Sequence, residues 1–221
     1  MNKYKVIILS LLISFMGASC EDWLYDNVNE DAAHEVLPQQ VLPVVLFYSA
    51  QLQFDHAEYG AYLTQTLTTG GRNQTSSFAY KSGWGDFLTM NRHPQWRRHF
   101  YDIGANAKEI IDEAHEAQAW NLELIGRTLR LMSTQMTTDL FGDMPRSEAY
   151  ESNSPHYDTQ ESIYEWMNQE IEELIGMYED PTYTEAATNI PIDQSIDRVF
   201  AGDLNKWKHY TYALKAVSYT H

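Results

Sequence analysis

One stretch of the chain concentrates the residue types that grip an uncharged, hydroxyl-rich ligand. Between Thr68 and Pro94 stand Arg72, Asn73, Gln74, Phe78, Tyr80, Lys81 and Trp84, and Trp84 sits between two glycines in SGWGD. A neutral sugar offers no charge to hold. A binder therefore uses flat aromatic faces against C–H-rich sugar faces, and a few polar groups for orientation. Trp84 and Tyr80 are the candidate platforms, and Arg72, Asn73 and Gln74 the candidate polar groups. Two readings of Trp84 stand side by side. Its ring is presented from the loop, or it tucks beneath the loop as support, since tryptophan is highly buried on average.

Other constellations offer less. Asp112 and His115 are three apart in KEIIDEAHEA, a spacing that puts two metal ligands on one helix face. A carboxylate-bridged site needs a second such helix with more Glu, and none follows, so the stretch reads as a solvated acidic face. His93 and His99 flank Trp96 but are six apart, which places them on different faces of a helix. Gly-x-Ser-x-Gly, His-Glu-x-x-His and the Walker loop are all missing from the sequence. TTGGRNQT has paired glycines without the Gly-Lys-Ser/Thr that phosphate binding requires. No cofactor is expected.

The single cysteine, Cys20, is placed for attachment. Lys3 and Lys5 precede the apolar run VIILSLLISF, and Gly17, Ala18 and Ser19 are small. A charged start, a short apolar run and a small-residue site make an export signal. The run is well short of the roughly 20 residues a spanning helix needs. A cysteine directly after small residues resembles the bacterial lipobox, whose cysteine is lipidated and becomes the mature N-terminus. The Glu21-Asp22 pair that follows resembles a surface-export tag. The expectation is a signal peptide over 1–19, a lipidated Cys20, and an acidic tether over 20–36. Each buried acyl methylene contributes about 0.8 kcal/mol, and several chains anchor stably.

The composition narrows the partners. The chain has 221 residues, 31 acidic and 15 basic, with a formal net charge of −16. Such a surface repels phosphate backbones, so nucleic acid is not expected as a partner. One cysteine permits no intrachain disulfide.

After Pro38 the pattern is helical. Val44–Phe54 and Glu58–Leu67 suggest two helices with Asp55 near their junction. Trp96, Phe100, Ile103, Ala107, Ile110 and Ala114 fall at spacings of 4, 3, 4, 3 and 4, one apolar face starting at Pro94. Leu122, Ile125, Leu129, Met132, Met136 and Leu140 follow, stopped at Gly142. The short link between these two runs predicts an antiparallel pair. Asp158 with Glu161 suggests a capping box before Ile163, Met167, Ile171, Leu174 and Tyr178. The stretch from Pro181 to Phe200 reads as irregular. Asp203 caps a last helix carrying Trp207, Tyr210, Leu214 and Val217. Trp96 and Trp207 are assigned to the core. The chain stops at KAVSYTH without Gly or Pro, which reads as truncation inside a helix. The expected fold is all-α, tetratricopeptide-like helical hairpins joined by long irregular loops over 37–221.

Three segments carry a family resemblance. TDLFGDMPRSEAY (138–150), YDTQESIYEWMNQEIEEL (157–174) and DRVFAGDLNKWKHYTYALKA (197–216) together resemble the SusD/RagB-like outer-membrane lipoproteins. Members are substantially longer, so the resemblance implies an N-terminal portion. It also implies a surface-exposed lipoprotein on the outer membrane, facing the cell exterior. Such a protein binds oligosaccharides, or sometimes peptides, and delivers them to a SusC-like TonB-dependent transporter. No catalytic residues carry over, and Phe141, Gly142, Asp143, Pro145 and Trp207 read as architecture. Two rivals remain at this stage: a surface-anchored glycoside hydrolase, and a helical-repeat adaptor without a ligand.

Overall fold

The computed structural model describes residues 37–64, 66 and 94–219. The signal, the tether with Cys20, and the loop bearing Arg72, Asn73, Gln74, Tyr80 and Trp84 lie outside them. The described elements are α1 (Pro38–Leu63), α2 (Pro94–Arg97), a π-helical segment (Arg98–Ala105), α3 (Asn106–Glu116), α4 (Trp120–Phe141), α5 (Gln160–Glu179), α6 (Pro181–Thr184) and α7 (Leu204–Ser218). The fold is all-α, as expected. None of the described helices is long and apolar enough to cross a membrane.

The first two expected helices are one. α1 runs through Asp55 because that carboxylate faces inward and is held there. It is 9% exposed and takes Arg98 Nε at 2.5 Å, while Arg98 Nη2 donates to Gln51 Oε1 at 3.1 Å. An inward, paired aspartate is no helix breaker. Pro43 stands inside α1 but near its start, where it removes a single backbone bond. The helix ends at Leu63, short of the expected Leu67, with the Thr64 hydroxyl donating back to Gly60 O at 2.8 Å.

In the run from Pro94, Ile103, Ala107, Ile110 and Ala114 are buried and Trp96 and Phe100 half-buried, yet eight residues, Arg98–Ala105, form a wide π turn that spacing alone does not reveal. Gly104 lies within this segment. A Cβ there would fall on the Tyr150 hydroxyl and lie 2.5 Å from His99 O. Tyr150, arriving from the loop after α4, can press onto the helix only where no side chain stands. Trp96 is half-buried, packed against the core and not within it, whereas Trp207 is 1% exposed, as assigned.

α3 and α4 form the expected antiparallel pair. Residues equidistant from the Ala117–Ala119 link meet: His115 and Trp120 rings are 5.5 Å apart, and Ile110 and Ile111 lie against Gly126. α4 is enclosed on more than its apolar stripe. Leu124 and Leu131 are buried beside Leu122, Ile125, Leu129 and Met132, and so are Thr128, Ser133, Thr134, Gln135, Thr137 and Thr138. The hydroxyls survive burial by bonding back along the helix, for example Thr128 Oγ1 to Leu124 O at 2.8 Å and Thr137 Oγ1 to Ser133 O at 2.8 Å. Gly142 ends α4 at φ 76°, a conformation suited to glycine.

The next loop is pinned by Asp158 and not by a capping box. Met144 and Asp158 form an antiparallel bridge, and the Asp158 carboxylate accepts from Arg146 N at 2.8 Å, Ser147 N at 2.9 Å and the Ser147 hydroxyl. Burial pushes that carboxyl up, but the Ser147 and Arg146 N–H groups outweigh it and hold it below the usual range. The actual N-cap of α5 is Thr159, whose side chain accepts from Ser162 N at 3.2 Å. Along α5 the five expected core positions are all buried.

Asp203 caps α7 as expected, accepting from Asn205 N and Lys206 N. Its inner face is Trp207, Thr211, Leu214 and Ser218, while Tyr210 is only half-buried and Val217 is 43% exposed. Two small hydroxyl residues hold the inward positions because each has a partner there: Thr211 meets Thr128 at 3.3 Å and Ser218 bonds Asn168 at 2.6 Å. Just before α7, Asp197 is wholly buried and organises the turn. It accepts from Val199 N, Phe200 N, Gly202 N and Trp207 Nε1, all within 3.1 Å.

Candidate functional site

The proposed ligand loop returns to the described residues at Pro94, and the return is firmly anchored. Gln95 is wholly buried; its Nε2 donates to Met136 O at 2.6 Å and its Oε1 meets His56 Nδ1 at 3.3 Å. The next residue, Trp96, heads an aromatic cluster. Its ring lies 4.7 Å from Phe100, 5.2 Å from Phe141 in an edge contact, and 6.3 Å from Tyr157 at an interplanar angle of 23°. Tyr157 is 54% exposed. Three elements build this cluster: α2 with the π turn, the end of α4, and the strand-like entry to α5. It presents a flat amphipathic ring at the surface beside the point where the loop re-enters, which suits stacking on a sugar face.

Sequence reasoning placed Trp96 in the core and Tyr157 in a family motif, and missed them as a joint surface. Tyr157 has no periodic signal, because it belongs to no helix. The residues singled out in the sequence, Trp84, Tyr80, Arg72, Asn73 and Gln74, lie outside the described residues.

The titratable groups behind the cluster are sealed. His99 Nδ1 and Ser133 Oγ are 2.8 Å apart, but His99 is 4% exposed and Ser133 is wholly buried. Burial, then the Arg130 charge, lowers the His99 pKa to about 3, so its imidazole is neutral. A neutral, buried histidine bonded to a buried hydroxyl holds the π-helical segment against α4. Asp112 and His115 are not joined: Asp112 takes Lys108 Nζ at 2.5 Å, and His115 meets Glu123 Oε2 at 3.1 Å. No group of three His, Cys, Asp or Glu that could hold a metal occurs among the described residues.

A second surface feature borders α1. Two adjoining clefts of about 190 and 350 Å³ share Leu46, Ala50 and Val199 as walls. Phe47 and Val199, at 59% and 52% exposure, give this face an apolar character.

Comparison with known proteins identifies the architecture. A family model for SusD-like proteins, described as starch-binding associating with outer membrane, matches residues 37–218. No curated protein matches the chain. Among solved structures, a SusD/RagB family protein from Bacteroides thetaiotaomicron is similar in fold, with a TM-score of 0.53 and 20% sequence identity. The superposition covers 82% of this chain and 37% of that one, so this chain spans little more than a third of its structural neighbour. With the match running from the start of α1 to the end of α7, the chain belongs to the SusD-like family.

Proposed function

We propose that this chain is part of a surface-exposed outer-membrane lipoprotein that binds oligosaccharides and delivers them to a SusC-like TonB-dependent transporter. The observation that carries the reading is the family match over all the described helices, for a family described as starch-binding and outer-membrane associated. The exposed Tyr157 ring stacked on Trp96 supports the saccharide part. The lipobox-like sequence around Cys20 supports the anchor.

Isothermal titration of an oligosaccharide panel into the full chain tests the ligand. Trp84→Ala is expected to cost about 2 kcal/mol of binding, roughly thirtyfold in affinity, while the melting temperature holds. Unchanged affinity in a stably folded variant removes Trp84 from the site. Turnover of the bound oligosaccharide would instead favour a hydrolase.

The anchor has its own test. Cys20→Ala is expected to abolish lipid labelling and release the protein from the membrane fraction, or leave its signal uncleaved. Unchanged membrane association in that variant would refute lipidation at Cys20. Co-purification with the neighbouring transporter checks the partner, and its absence under conditions that preserve the membrane would count against delivery.

A further inference from the structure

Two cations in this acidic chain are positioned but not neutralised. Arg130 on α4 and Arg146 in the following loop both lie on the Trp166 ring of α5, with their guanidinium carbons 5.7 and 4.8 Å from its centroid. The neighbouring arginines behave differently: Arg97, Arg98 and Arg127 each meet a carboxylate. Arg130 and Arg146 meet none among the described residues. Arg146 Nε is buried without a hydrogen-bond partner. A cation–π contact fixes a guanidinium plane without cancelling its charge, and it leaves the in-plane N–H fork free for an oxyanion.

The groups around the pair make no ion pair with it, and the one carboxylate that feels Arg146 is Asp158. His99 and Tyr150, which feel the Arg130 charge, are both neutral near neutrality; burial raises the Tyr150 phenol to about 12. Asp158 feels Arg146, but its oxygens are taken by Arg146 N, Ser147 N and the Ser147 hydroxyl. Both guanidiniums flank the single Trp166 ring, within 6 Å of its centre. At physiological salt the Debye length is about 8 Å, so the chain's overall negative charge does not cancel a local cationic pair.

We infer that Arg130 and Arg146, steadied on Trp166, form a binding site for the carboxylate or sulfate group of an acidic sugar. The sugar part rests on the function proposed above; the oxyanion part rests on the arginine geometry alone.

The test is calorimetric titration of the full chain with D-glucuronic acid, D-glucose 6-sulfate and D-glucose, alongside maltoheptaose as a neutral oligosaccharide. At least one acidic probe is expected to bind where glucose does not, and the tighter of the two identifies the group. Arg130→Gln and Arg146→Gln are each expected to weaken that binding about tenfold or more, as loss of a charge-assisted fork does. Arg146→Lys keeps the charge and loses the fork, so it should weaken binding several-fold, and it replaces the glutamine variant if that one melts early. Failure of both acidic probes, or affinity unchanged in the arginine variants, overturns the inference. Maltoheptaose binding without any response to the acidic probes overturns it while leaving the proposed function standing. Arginine-dependent binding of an acidic probe without maltoheptaose binding supports it and counts against a neutral glycan as the ligand.

Discussion

Replacing Arg127 with methionine is expected to lower the unfolding free energy by about 3–5 kcal/mol, the usual cost of leaving a buried charge unpaired. Arg127 sits on α4 with its side chain 12% exposed, and it clamps two helices together. Its Nε and Nη2 donate to the two oxygens of Glu170 at 2.8 and 3.0 Å, a parallel fork onto α5. Nη2 also meets Glu173 at 2.9 Å, and Nη1 meets Glu123 at 3.4 Å and Met177 Sδ at 3.2 Å. Burial alone would lower the guanidinium pKa, but the bonds and charges of Glu170 and Glu173 raise it, so the group stays charged at every working pH. The vulnerable partner is Glu123, whose side chain is 5% exposed. Without Arg127 its remaining side-chain partner among the described residues is His115, which is largely exposed. Methionine fills the volume, so the loss reads out charge and not a cavity. Adding Glu123→Gln to Arg127→Met should restore part of the stability, because the stranded charge is then gone. Urea unfolding at pH 7 of the wild type and the two variants checks this. A loss below about 1 kcal/mol in the single variant would show that Glu123 finds other compensation.

Periodicity revealed the helices and missed what polar contacts decide. The apolar spacing of α3, α4 and α5 was legible because each helix has a wide buried face and the spacing is set by 3.6 residues per turn. Asp55 looked like a junction because a charged residue is rarely buried; Arg98, 43 positions away, makes it an inward residue. Asp158 and Glu161 resemble a capping box, yet Asp158 serves the preceding loop and Thr159 caps the helix. The inner face of α7 runs through Thr211 and Ser218, which a count of apolar residues passes over. Tyr150 meets Gly104 of the π-helical segment from a different loop. Each of these rests on a partner distant in sequence, which local pattern cannot supply. The same holds for the sites: the loop aromatics were visible as types, but the meeting of Tyr157 with Trp96, and of Arg130 with Arg146 across Trp166, exists only in the folded chain.

Acid is expected to weaken the fold from pH 6.5 downward, well before the carboxylates protonate, and His99 is the cause. In the unfolded chain this histidine titrates near its ordinary 6.5. In the fold, burial first and the Arg130 charge second lower it to about 3. Between those two values the unfolded state holds a proton that the folded state refuses, so stability rises with pH across the window and falls on acidification. One pH unit inside the window corresponds to about 1.4 kcal/mol, so the drop from pH 7.5 to 4.5 is on the order of 3 kcal/mol. The refusal has a structural basis. A charged imidazole at this position would be 4% exposed, against the Phe100 ring at 4.4 Å, with Ser133 Oγ as its Nδ1 partner. The carboxyls of Glu148, Asp158, Asp180 and Asp193 are held below their ordinary range and act in the same direction, but only at lower pH, where they themselves protonate. His99→Gln separates the two contributions. Glutamine can keep a hydrogen bond to Ser133 and does not titrate, so the variant's stability should stay nearly flat from pH 7.5 to 5 and fall only below that. Urea unfolding of both proteins at pH 7.5, 6.5, 5.5 and 4.5 gives the comparison. If the two curves run parallel, His99 is not the acid-sensitive group, and its burial costs the protonated form far less than the geometry implies.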